Sequence, residues 1–159
     1  MAGAAVEATQ RALYYYGPSL LTQQYWDAAV KPKGGLLPRL QAAAGPHKNA
    51  STDPHAAGRA LDIILFAKDA TEKDYADRIV QVFLKLKDKM HFISVIYNGS
   101  EWNGAGGKFS HIDEAHKTHI HIEWSKTGVG LPNFASDLED ALYNEFASDN
   151  LSSGDYQAA

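Results

Sequence analysis

The chain has 159 residues, of which 45% are hydrophobic and 21% charged, with a net charge of −4 at pH 7. That is the make-up of a folded globular protein, and no Lys/Arg cluster gives it an electrostatic footprint for nucleic acid or an acidic membrane surface. With no cysteine, any metal must be held by His, Asp, Glu or water, and no disulfide staples the fold.

The length suits one domain over residues 1–146, with a motif-bearing core at 36–125 and a small, polar C-terminal tail at 147–159. The N-terminus lacks a basic n-region and a long apolar h-region, so no Sec signal peptide is expected. No stretch reaches the roughly 18 apolar residues of a membrane span, which excludes membrane insertion by a helix.

Loosely helical spacing predicts a first helix over 3–16, ended by Gly17-Pro18, and a second from Ser19 to about Val30. Lys31-Pro32-Lys33-Gly34-Gly35 breaks the chain before a short apolar helix over 36–44. The run Tyr14-Tyr15-Tyr16 reads as packing rather than as a ligand groove. Residues 45–54 form a polar loop rich in turn formers that delivers His55. Asp62 then opens an apolar run, 61–66, that reads as a buried strand. A carboxylate there needs a partner, and metal ligation is one way to supply it.

Thr71 is the expected N-cap of a helix over 72–90, whose apolar positions Tyr75, Ile79, Val82, Phe83, Leu86 and Met90 keep the helical period. Residues 91–97 are β-branched and aromatic-rich, hence a strand. Asn98-Gly99 is a strong hairpin signal, with 100–102 returning as the second arm. Residues 103–117 read as a glycine-containing loop that carries His111, Asp113, Glu114 and His116 to the rim of a site. Thr118-His119-Ile120-His121-Ile122-Glu123-Trp124 alternates strictly, so His119, His121 and Glu123 share one strand face. Gly128 to Pro132 turns the chain, and a last amphipathic helix spans Phe134 to about Phe146.

A bare His-x-His is a weak signal, because half-buried strands often carry polar residues on the wet face. Joined to His55-x-x-Gly58-x-x-x-Asp62 it becomes a constellation able to close a zinc site: a few nitrogen and oxygen ligands with one open position. Lone histidines are more often satisfied polar groups, and His47, His91 and His111 are read that way. His116 lies close enough to the strand to support a ligand from outside. His116-Lys117-Thr118 also spells one His-x-Thr phosphoesterase motif, but that chemistry needs two, and the chain has no second.

The spelling His55-x-x-Gly58-Arg59-Ala60-x-Asp62, followed by His119-x-His121, resembles the zinc peptidases grouped as lysostaphin, D-Ala-D-Ala carboxypeptidases and hedgehog, and within them the carboxypeptidase branch. The resemblance covers about residues 36–125. It implies zinc held by His55, Asp62 and His121, with His119 steadying the developing oxyanion or the attacking water. The family's general base is an acid that falls here on Thr118, which cannot take the role. The base is then His119, or Glu114 or Asp113 from the loop; a third outcome is a zinc-stabilised binding module with no activity. Arg59 either buttresses the site or holds a substrate carboxylate.

An α+β fold is therefore expected, with a small, mainly antiparallel sheet, helices packed on one side and zinc on the open face. The resemblance implies a zinc metallopeptidase acting on the peptide stems or cross-links of bacterial peptidoglycan. A wall substrate without a Sec signal would imply delivery by a phage lysis system or a contact-dependent secretion machine, and in the latter case a cognate immunity protein.

Overall fold

A computed structural model describes residues 4–21, 59–125 and 133–148. Helix α1 (Ala4–Tyr16) leads to strand β1 (Ala60–Ile64), helix α2 (Ala70–Lys85) and the short α3 (Lys87–Met90). Strands β2 (Phe92–Tyr97), β3 (Gly99–Asn103) and β4 (Lys108–His111) follow, then a single 3-10 turn (Ala115–Lys117), strand β5 (His119–Trp124) and helix α4 (Phe134–Phe146). The strands form one sheet in the order β1-β5-β2-β3-β4, and every neighbouring pair is antiparallel. The expected α+β class and its antiparallel sheet are what the chain forms.

The two faces of the sheet have opposite chemistry, and the alternation of β5 shows why. Ile120, Ile122 and Trp124 are fully buried, while His119, His121 and Glu123 between them are only partly so. On the apolar side they join Leu61, Ile63, Val95 and Tyr97 in one core with Val82 and Phe83 of α2, Leu138, Leu142 and Phe146 of α4, and Leu13 of α1. Burying a side chain of this kind is worth roughly 1.5–3 kcal/mol, so the helices are held by this face. The opposite face carries Asp62, His119, His121 and Glu123, with Ile64 and Ile96 between them.

Several expectations need adjusting. Helix α2 is capped by Asp69, not Thr71: the Asp69 carboxylate accepts from the backbone N–H of Thr71 at 2.9 Å and of Glu72 at 3.0 Å. The helix expected over 72–90 is interrupted at Leu86 (φ −97°, ψ 9°). Leu86 and Met90 stay buried across the break, so the apolar spacing does not reveal it. The hairpin is as expected, with Asn98 (φ 47°) and Gly99 (φ 88°) both left-handed, the backbone of a type I′ turn. The loop read over 103–117 contains strand β4, and a bulge between Phe92 and Ser94 pushes Ile93 outward to 45% exposure. The helices expected beyond residue 21, and His55 with its loop, lie outside the described residues. No helix among the described residues is long and apolar enough to cross a membrane.

Candidate metal centre

Register builds the polar face. Asp62 of β1 stands opposite His121 of β5, and Ile64 opposite His119. Ile96 of β2 lies on the other side of His121, and Glu101 of β3 lies beyond Ile96. Directly opposed residues share a face, so Asp62, His121 and Glu101 belong to one row across the sheet.

Asp62 is 3% exposed. Its Oδ1 lies 3.1 Å from His121 Nδ1 and 3.8 Å from His119 Nε2. The other nitrogen of His121 lies 3.4 Å from Glu123 Oε1. Burial works against the charged imidazole, but the hydrogen bonds to Asp62 and Glu123 win and push His121 up to about 9. His119 goes the other way, lowered chiefly by burial. The hydroxyl of Thr118 donates to the carbonyl of Ala115 at 2.7 Å. Toward His119 Nδ1, 3.1 Å away, it therefore acts as acceptor. That contact favours the neutral tautomer with the proton on Nδ1. Thr118, which stands where an acid was expected, contacts the neighbouring imidazole instead.

A second group adjoins this one. His111, Asp113 and His116 bring three ligand atoms within 4.8 Å of one another and can hold a metal ion. The His116 ring lies 5.2 Å from that of His111, 5.0 Å from His119 and 5.9 Å from His121, so four imidazoles form one continuous cluster. Burial opposes ionisation of Asp113. Hydrogen bonds from the backbone and ring of His116 and from His111 overcome it and hold the carboxyl down at about 2. His111 is raised chiefly by its hydrogen bond to Glu101.

No protein-family model, curated protein or solved structure matches the chain. What it does must be read from the site itself.

The structure thus brings Asp62, His119 and His121 together, with Asp113 one imidazole away. His55 lies outside the described residues. Arg59 donates from Nη1 to the carbonyl of Trp124 at 3.0 Å, and the Trp124 N–H returns to the Arg59 carbonyl at 2.7 Å; of its two readings, the buttress matches these contacts. Glu114 pairs with Lys117 at 3.1 Å, its side chain 88% exposed. His111, read from the sequence as a satisfied polar group in the loop at the rim, is part of the cluster. Its signal was available in the spacing His111-x-Asp113-x-x-His116, which a tight turn folds onto one point.

Proposed function

We propose that the chain is a zinc-dependent peptidase that hydrolyses peptide bonds of bacterial peptidoglycan, of D,D-carboxypeptidase or endopeptidase type. The observation that carries this reading is Asp62: a carboxylate 3% exposed, with two imidazoles of the adjacent strand directed at one of its oxygens. A buried carboxylate so flanked fits a metal-ligand set of nitrogen and oxygen donors. Asp62 and His121 would hold the ion together with His55, which the sequence motif supplies.

Zinc, when bound, would supply Lewis acidity and a water of near-neutral pKa. With its proton on Nδ1, toward Thr118, His119 would use Nε2 to accept a proton and return it to the leaving amine. Asp113 orients His116 through a 2.7 Å contact and so supports the imidazole cluster. The substrate class rests on the motif spelling, as do delivery to the cell wall and a cognate immunity protein.

The test is digestion of purified peptidoglycan by the zinc-loaded protein beside His121→Ala and His119→Ala, with released muropeptides read by mass spectrometry. Both variants should lose cleavage, by at least about a hundredfold for a lost acid–base group, and His119→Ala should keep its zinc. A zinc-bound wild-type protein that releases nothing would replace the peptidase with an inert zinc-stabilised binding module.

A further inference from the structure

We propose that His111, Asp113 and His116 form a second metal site, for a divalent first-row transition ion, separate from the one at Asp62 and His121. This goes beyond the peptidase reading, since none of its donors belongs to the ligand set given above. The last residue of β4 supplies His111, and the 3-10 turn over Ala115–Lys117 brings His116 back toward it. Each donor is then oriented by its own far side.

The His116 backbone N–H donates to Asp113 Oδ1 at 2.7 Å, which closes the turn and turns Oδ2 toward the two rings. That oxygen lies 2.9 Å from His111 Nε2 and 2.7 Å from His116 Nδ1. The remaining nitrogen of His111, Nδ1, lies 2.8 Å from Glu101 Oε1 on β3. A carboxylate behind an imidazole is the usual outer support of a metal-bound histidine, fixing its ring and raising its basicity. Two nitrogens and one carboxylate oxygen suit zinc, cobalt, iron or manganese. The side chains of His111 and Asp113 are about one-third exposed, at 35% and 33%, so an ion can enter from solvent. Two carboxylates, Glu101 and Asp113, give the site the negative balance that a cation needs.

The experiment is titration of the metal-stripped full chain with Co²⁺, read by visible ligand-field absorption and by calorimetry. Wild type should take up two equivalents. His111→Gln should lose one, and Asp62→Asn should lose the other while keeping the one held by the triad. Glu101→Gln leaves all three donors in place and should weaken the triad's site by about 10–100-fold. It reads the site even if another variant fails to fold, which far-UV circular dichroism would show. A single equivalent lost in His111→Gln but kept in Asp62→Asn would uphold this site and overturn the peptidase ligand set. Uptake that is unchanged in both His111→Gln and Glu101→Gln, or no uptake by wild type, would overturn the second site.

Discussion

His121 has a carboxylate at each ring nitrogen, Asp62 at 3.1 Å and Glu123 at 3.4 Å, and the metal-free protein therefore favours its charged form. A histidine raised from 6.5 to about 9 contributes stability that is fully present below 6.5 and is lost as the pH rises through 9. In the metal-stripped protein, His121→Gln should then cost on the order of 1–3 kcal/mol near pH 6, the scale of charged hydrogen bonds. By about pH 10 most of that difference should be gone. Urea unfolding at the two pH values checks it, and a penalty equal at both would refute the charged assignment. At this scale the sequence was informative where two signals coincided. Alternation set His119 and His121 on one face, and the motif paired them with Asp62. It brought His111 to the rim but gave it no direct role, because whether a lone imidazole is a bystander depends on a turn and on a carboxylate ten positions away on another strand.

Among the elements, the β2–β3 hairpin carries Glu101 to His111. Its turn depends on Gly99, whose φ of 88° is a conformation that L side chains resist. A methyl group added there would meet nothing within 4 Å, so the cost of Gly99→Ala is conformational alone, about 1–2 kcal/mol. Denaturant unfolding should show that loss with an unchanged slope; a neutral Gly99→Ala would mean that the turn can relax. Gly104 is a different case, since an added methyl would run into the Phe92 carbonyl. The hairpin, β5 and α4 were legible because local chemistry and burial agree in them. Strand β4 was not. Of its four residues only Phe109 is a large apolar one, and it is 55% exposed. Pairing with β3 makes it a strand, and backbone pairing leaves no mark on an apolar pattern. Asp69 and Thr71 are both good cap residues, and only the path of the chain makes Asp69 the cap.

For the molecule as a whole, the division between the two faces of the sheet separates the apolar core from the cluster of titratable groups. The core side is closed by Phe83, Ile120, Ile122, Trp124 and Phe146, all with no exposed surface. Small domains that fold only around a structural zinc lack such a core; here the core should hold without the ion. Removing metal with a chelator should therefore leave secondary structure intact and lower only the melting temperature. A ligand at a hundredfold excess over its Kd stabilises the native state by about 2.7 kcal/mol. For a domain of this size that is a rise of roughly 5–11 °C. The rise should shrink in Asp62→Asn and should be larger, for the same free ion, in any protein that fills both groups than in one that fills a single group. Chelation that unfolds the chain outright would assign the ion a structural role. A melting temperature indifferent to zinc in the wild-type protein would remove the metal from both sites, and with it the reason for a cluster of four histidines and four carboxylates.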